Sequence, residues 1–342
     1  MSHPSLNETA PQACLPFAVL TKYISSLRQM PDRLTHPGTP LDLSAYVTHS
    51  GNPLNWRDNI NFNDDRDFIS GGFGDVRKER IVIGSDTFFV AVKRIRLRNV
   101  SKARMNIRVR REVRVWEGLR HENIVQLLGT IGHDGCVGMV SQWMTTGDLY
   151  SFICPNIPMS RRLEIACDSA RGLTYLHSKG VVHGDLTCKN ILIDDQGKAC
   201  ITDFGLSILK AEFEGTHYMT STVGGAFRYR APELLPSDEK EVINFKPVLT
   251  SACDVWSLAS VILQTLTGVV PYDNVSKDVS VLWLVMRAIR PRRPQVKELT
   301  NEYWDYINTM WGQPGVPISR PRAEQVYRSL LIFRDTAYIR RP

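Results

Sequence analysis

The sequence reads His183-Gly184-Asp185-Leu186-Thr187-Cys188-Lys189-Asn190, and Asp203-Phe204-Gly205 follows a short distance downstream. Asp185 is a carboxylate suited to orienting an acceptor hydroxyl. Asn190 and Asp203 offer the oxygen ligands that magnesium takes beside substrate phosphates. In this order the residues point to phosphoryl transfer, a reaction in which alignment and charge neutralisation carry most of the catalysis.

Three further motifs flank these two segments. They are Ile69-Ser70-Gly71-Gly72-Phe73-Gly74-Asp75-Val76, Val90-Ala91-Val92-Lys93 and Ala231-Pro232-Glu233. Because glycine has no Cβ, a glycine-rich turn can bring the backbone close to phosphates. From Phe68 to Val92, apolar and aromatic residues alternate between turns, which predicts antiparallel strands.

Helical periodicity follows the strands. Met105, Val109, Glu112, Val113 and Trp116 fall on one helical stripe, so we expect Glu112 to face the protein, where a carboxylate needs a cationic partner. The helical pattern returns at residues 161–178, 254–267 and 323–333. A strand-rich first part followed by a helical second part indicates an α+β fold.

Together these motifs closely resemble the signature of the eukaryotic protein kinases over roughly residues 63–334. The segments 121–125 and 311–321 resemble the tyrosine-kinase-like group. The resemblance implies a bilobal fold with a small antiparallel β lobe (about 63–140) that contains one key helix, and a larger, mainly helical lobe (about 145–334). Residues 1–62 would be an N-terminal extension without an assigned role, and 335–342 a short C-terminal tail.

The resemblance also implies the roles of individual residues. Lys93 would hold the ATP phosphates and pair with Glu112, Asp185 would be the catalytic base, and Asn190 and Asp203 would bind Mg²⁺. The implied nucleotide pocket consists of Ile69, Gly71, Gly72, Gly74, Val76, Ala91, Lys93, Ser141, Gln142, Met144 and Leu192. Ile69 stands where the family has its first glycine.

Four structural contacts are implied as well. Glu233 and Arg320 would form an ion pair that anchors the substrate-binding segment, and Asp254 would hold the backbone of the catalytic loop. The side chains of Leu127, Trp116, Phe204 and His183 would stack on one another.

Departures from the family bear on regulation and on the acceptor. Gly184 replaces an Arg that ordinarily receives the activation-loop phosphate, so we expect weak dependence on phosphorylation of that loop. Thr187 and Ala226 replace a Lys and a Thr that are typical of serine/threonine kinases, whereas Lys189 resembles a basic residue of many tyrosine kinases. The tyrosine-kinase-like resemblance favours Ser/Thr acceptors and leaves Tyr open.

Two other functions compete with a protein kinase. A pseudokinase scaffold would explain the changes at Ile69 and Thr187, although Lys93, Asp185 and Asp203 are all present. A small-molecule phosphotransferase would explain the His-Gly-Asp segment, although such enzymes lack the Ala-Pro-Glu motif. Incorporation of labelled phosphate into protein separates these functions.

Bulk composition narrows the partners and the location. The 342 residues are 43% hydrophobic and 23% charged, which is typical of a globular protein. The seven Cys show no C-x-x-C spacing, which favours a reducing cytosol or nucleus over secretion. We expect no membrane span, and we interpret the net charge of +7 as solvated helix and strand faces rather than a nucleic-acid site. Expected partners are ATP and a protein substrate; nothing in the sequence indicates an oligomeric state.

Overall fold

The computed structural model describes residues 54–55, 68–71, 74–83, 86–95, 109–110, 113–133, 136–204, 226–236, 245 and 247–339. Of the expected N-terminal extension, residues 1–62, the structure describes only residues 54–55. Within the described part of the chain, no helix is long and apolar enough to cross a membrane.

The small lobe is built on a six-stranded sheet with the order β1-β5-β6-β4-β3-β2. Its strands are β1 (Leu54–Asn55), β2 (Phe68–Gly71), β3 (Gly74–Ile83), β4 (Asp86–Ile95), β5 (Leu127–His133) and β6 (Cys136–Gln142). In β4, Phe88, Val90 and Val92 are buried while Phe89 is exposed, the period of two expected for a sheet with one face on the core.

The expected antiparallel pairing is confirmed for β2 to β6. One pairing was not predicted: β1 runs parallel to β5, with Leu54 opposite Gly129. Two residues are too few for a detectable period, and their pairing depends on the open edge of β5, which lies far away in the sequence.

A helix, described at residues 109–110 and 113–117, shares a buried apolar cluster with Leu127 and Met139 of this sheet. Val109, Val113 and Trp116 are buried, as their stripe predicted. Glu112 lies outside the described residues.

The large lobe is mainly helical. Its helices are α1 (Leu149–Phe152), α2 (Met159–Ser178), α3 (Ser251–Thr267), α4 (Asp278–Met286), α5 (Asn301–Trp311) and α6 (Ala323–Ile339). A short antiparallel hairpin of β7 (Ile191–Ile193) and β8 (Ala199–Ile201) carries the predicted catalytic segments at its ends. The two-lobed α+β fold is thus confirmed.

Helix α3 forms the centre of this lobe and packs against α2 and α5. All its residues from Cys253 to Leu266 are buried, because the helix is apolar around most of its circumference. It ends at Gly268, whose φ of 74° is the left-handed conformation that glycine adopts at helix C-termini. Helix α6 continues past residue 334 to Ile339, and the Tyr338 hydroxyl bonds Glu164 of α2.

Candidate active site

The catalytic-loop segment is fixed by a buried carboxylate of α3. Asp254 is fully buried and accepts hydrogen bonds from the backbone N–H of His183 (2.8 Å) and of Gly184 (2.7 Å). His177 Nε2 lies 2.8 Å from the same carboxylate. Charge-assisted bonds of this kind are about twice as strong as neutral ones. The predicted role of Asp254 in holding the loop backbone is confirmed by these contacts.

The conformation of the loop explains the glycine before Asp185. Gly184 has a φ of 76°, in the left-handed region. A residue with a Cβ in such a sparsely populated region costs of order 1–3 kcal/mol. Gly184 therefore lets the loop turn without strain, and it leaves no side chain to bind a phosphate.

Hydrogen bonds join Asp185, Asn190 and the segment that precedes Asp203. Asn190 Nδ2 donates to the Asp185 carbonyl oxygen at 2.7 Å, and the Asn190 carbonyl oxygen accepts from the Thr202 N–H at 2.9 Å. His183 lies between the same segments, because its Nδ1 accepts from the Asp185 N–H and its Nε2 lies 3.0 Å from the Thr202 carbonyl oxygen. The two motifs quoted first are therefore adjacent in space.

Lys93 and Asp203 connect the two lobes. Lys93 Nζ, on β4, lies 2.5 Å from Asp203 Oδ1, just after β8. Asp203 has a φ of 65°, unusual for a residue other than glycine, although Asp tolerates it better than most. Such strain is often found at functional sites. A strand of the small lobe and a loop of the large lobe thus place opposite charges side by side.

Phe204 extends this connection into the core. Its ring meets the Trp116 ring edge-on, with centroids 5.5 Å apart, and Trp116 Nε1 donates to the Val125 carbonyl oxygen at 2.7 Å. Leu127 belongs to the same buried cluster, and His183 is fully buried. The predicted contact of Trp116 with Phe204 is confirmed.

The residues predicted to surround the nucleotide lie on neighbouring strands. Ala91 of β4 is opposite Ser141 of β6, and Val76 of β3 is opposite Lys93. A backbone bridge between Asp148 and Leu192 brings β7 against the segment that follows β6.

The remaining predicted pocket residues differ in how far they are described. Ile69 and Gly71 pair through their backbone with Val76 and Gly74, Gln142 ends β6, and Met144 is half-buried. Gly72 lies outside the described residues.

The segment after residue 225 is anchored to the large lobe at several points. Arg320 donates to the Glu233 carboxylate at 2.5 and 2.9 Å, which confirms the predicted ion pair. Arg228 donates to the carbonyl oxygens of Pro271, Tyr272 and Val275. These contacts fix residues 226–236 against the large lobe. Residues 205–225 are outside the described part of the chain, so the expectation about loop phosphorylation stays a prediction.

Sequence reasoning missed one residue of this site. Arg230 Nη2 lies 3.1 Å from Asp185 Oδ1, and both side chains are buried. The signal in the sequence was the pair Arg228 and Arg230 between apolar residues, since charges that are buried with such residues need partners. The pairing of Arg230 with Asp185 could not be predicted from that signal alone.

Two buried groups near the loop are unsuited to nucleophilic chemistry. Burial raises the pKa of the Cys188 thiol far above its ordinary value, and burial likewise raises the pKa of the Tyr229 hydroxyl. Both stay protonated near neutral pH and are therefore poor nucleophiles.

The donor set suits a metal ion that also binds phosphate. The described residues contain no cluster of three or more His, Cys, Asp or Glu that could hold a metal by itself. Asn190 uses its amide nitrogen on the Asp185 carbonyl, so its amide oxygen is the atom that it can offer to a cation. One carboxylate and one amide oxygen fit a hard divalent ion whose other ligands are phosphates and water.

The family model and the similar proteins that match this chain all concern protein kinases. A sequence model of the family described as protein tyrosine and serine/threonine kinase matches residues 63–330. Serine/threonine-protein kinase STY17 of Arabidopsis thaliana is 29% identical, over 70% of this chain and 40% of the relative. CBL-interacting serine/threonine-protein kinase 1 of the same plant is 30% identical, over 62% of this chain and 46% of the relative. Leucine-rich repeat receptor-like protein kinase PXC2, also of Arabidopsis thaliana, is 30% identical, over 66% of this chain and 22% of the relative. The chain thus spans less than half the length of these relatives.

Proposed function

Because the chain belongs to the protein tyrosine and serine/threonine kinase family, we propose that it is an ATP-dependent protein kinase that transfers the γ-phosphoryl group to a protein hydroxyl. The observation that carries this proposal is the 2.5 Å contact of Lys93 with Asp203 beside the Asp185–Asn190 loop. A family match supplies the fold, but these side chains supply the chemistry. We assign the catalytic domain to residues 63–334.

The proposed roles rest on the contact of Lys93 with Asp203, on the hydrogen bond of Asn190 to Asp185 and on the family resemblance. Lys93, together with Glu112, orients the α- and β-phosphates. Asn190 and Asp203 hold the divalent ion, which we propose to be Mg²⁺, and that ion neutralises phosphate charge when bound. Asp185 accepts the hydrogen bond of the acceptor hydroxyl and takes its proton as the oxygen attacks the γ-phosphorus, while the bond to the ADP oxygen breaks.

We propose that the adenine and phosphates lie between the β2–β3 hairpin and β7. Support comes from the pairing of Ala91 with Ser141 and from the bridge that brings Leu192 to Asp148, in the segment that follows β6. The proposed nucleotide contacts are Ile69, Gly71, Gly72, Gly74, Val76, Ala91, Lys93, Ser141, Gln142, Met144 and Leu192.

We favour serine or threonine as the acceptor. The names of the similar plant proteins, two of which are serine/threonine-protein kinases, support this assignment. For the location we propose the cytosol or nucleus, which agrees with the free thiols of Cys154, Cys167, Cys188, Cys200 and Cys253.

Transfer of labelled phosphate tests the proposal. The purified chain is incubated with γ-³²P-ATP, Mg²⁺ and a generic protein substrate, alongside Asp185→Asn and a control, Asp195→Asn, which changes an exposed turn residue. We expect Asp185→Asn to lower labelling at least about 100-fold and Asp195→Asn to leave it unchanged. Phosphoamino-acid analysis of the product then identifies the acceptor. Equal labelling by the wild type and Asp185→Asn would overturn the proposal and favour a scaffold.

A further inference from the structure

The cation beside Asp185 comes from an unexpected part of the chain. We propose that Arg230 is a positioning residue that holds the Asp185 carboxylate in its working orientation. It would supply the positive charge that is missing because Thr187 stands in place of a lysine. This inference rests on the proposed kinase function and concerns the same site. It assigns Arg230 a role beyond anchoring its own segment.

The geometry of the pair is that of a buried, oriented contact. Arg230 Nη2 lies 3.1 Å from Asp185 Oδ1, and the two side chains are 2% and 7% exposed. The guanidinium carbon of Arg230 also lies 5.4 Å from the centre of the Phe227 ring. A planar, permanently charged group held by an aromatic ring and a carboxylate has little rotational freedom. Arg230 therefore restrains the orientation of the Asp185 carboxylate.

The catalytic loop has a basic residue of its own, Lys189, but its ammonium lies against an aromatic ring rather than beside Asp185. Thr187 has no charge, and Lys189 places its ammonium 5.4 Å from the centre of the Tyr150 ring. Among the residues that the structure describes, Arg230 is the cation that forms an ion pair with Asp185. The positive charge expected within the catalytic loop is supplied from outside that loop.

The position of Arg230 in the chain links the base to the segment that precedes and includes Ala-Pro-Glu. On one side of Arg230, the Tyr229 hydroxyl bonds Gln264 of α3; on the other, Glu233 pairs with Arg320. A shift of this segment would move the guanidinium and with it the Asp185 carboxylate. Displacing a catalytic group by about 1 Å costs on the order of 100-fold in rate. The orientation of the Asp185 carboxylate therefore depends on the position of residues 226–236.

A double-mutant cycle tests this role. We compare the wild type, Arg230→Gln, Asp185→Asn and the double variant by the steady-state rate of transfer from γ-³²P-ATP over a range of ATP concentrations. Arg230→Gln should lower kcat about 100-fold while KM for ATP changes less than about threefold. Arg230→Lys should recover at least about tenfold of that loss. If Arg230 acts through Asp185, the double variant should be within about threefold of Asp185→Asn.

Each result has a definite meaning. Inactive wild-type protein would refute the proposed function itself. Active wild type with Arg230→Gln at more than a third of its kcat, or with a raised kcat, would overturn the positioning role. Losses that multiply in the double variant would show that Arg230 acts independently of Asp185, which would overturn the positioning role. If Arg230→Gln does not fold, the same cycle is run with Arg230→Lys. The coupling would be refuted if Arg230→Lys lowered kcat by the same factor in the wild type and in Asp185→Asn.

Discussion

Replacing Asp254 with alanine should destabilise the large lobe by an amount that its contacts define. The fully buried carboxylate accepts from the backbone N–H of His183 and of Gly184, and His177 Nε2 lies 2.8 Å away. Each buried donor left without a partner costs about 1–3 kcal/mol, so two backbone donors cost about 2–6 kcal/mol. Removing a buried charge offsets part of this loss. We therefore expect the free energy of unfolding to fall by about 2–4 kcal/mol.

The assays are urea denaturation and thermal unfolding, both monitored by tryptophan fluorescence, to which the buried Trp256 and Trp311 contribute. At about 2–4 °C per kcal/mol, the melting temperature should fall by roughly 4–16 °C. Asp254→Asn keeps one acceptor oxygen and should lose about half as much. The matched control is Asp278→Ala, whose partly exposed carboxylate pairs with Arg228 at 3.2 Å and should contribute less than about 1 kcal/mol.

Two outcomes would refute this reasoning. The first is a loss in Asp254→Ala that is within about 1 kcal/mol of the loss in Asp278→Ala. The second is an Asp254→Asn variant as unstable as Asp254→Ala, because the remaining acceptor oxygen would then contribute nothing. Either outcome would mean that the loop backbone finds other acceptors, and that α3 does not hold it.

Two further predictions concern protonation. Cys154 is exposed, whereas burial raises the pKa of the Cys167 thiol to about 12, so iodoacetamide at pH 8 should alkylate Cys167 at least about 100-fold more slowly in the folded protein. Peptide mass spectrometry measures both rates, urea should equalise them, and equal rates without urea would contradict the prediction. Burial also raises the pKa of the Asp168 carboxyl, so the folded state binds this proton more tightly than the unfolded state, and the stability that the carboxyl contributes below about pH 4 is lost as pH rises. The melting temperature of Asp168→Asn minus that of the wild type should therefore increase from pH 4 to pH 7. The same difference for Asp195→Asn should not change with pH. A difference that decreases with pH for Asp168→Asn would contradict this reasoning.

Much of the fold could be predicted because it depends on local periodicity. The apolar repeats predicted α2 and α3 to within a few residues, since a helix shows its buried face every three or four positions. The alternating segment before Lys93 predicted β3 and β4 for the same kind of reason. The pairing of β1 with β5 could not be predicted, because it depends on a distant strand edge.

The sequence by itself determined which chemical groups are present: the carboxylates Asp185 and Asp203, the amide of Asn190 and the cation of Lys93. Their types and order indicated phosphoryl transfer before any contact was known. The tertiary structure alone decided that Lys93 meets Asp203 across two lobes and that Arg230 meets Asp185. Such contacts join segments that are far apart in the chain, and no local pattern encodes a distance between them. Packing brings them together, because a buried charge is stable only beside its counter-charge.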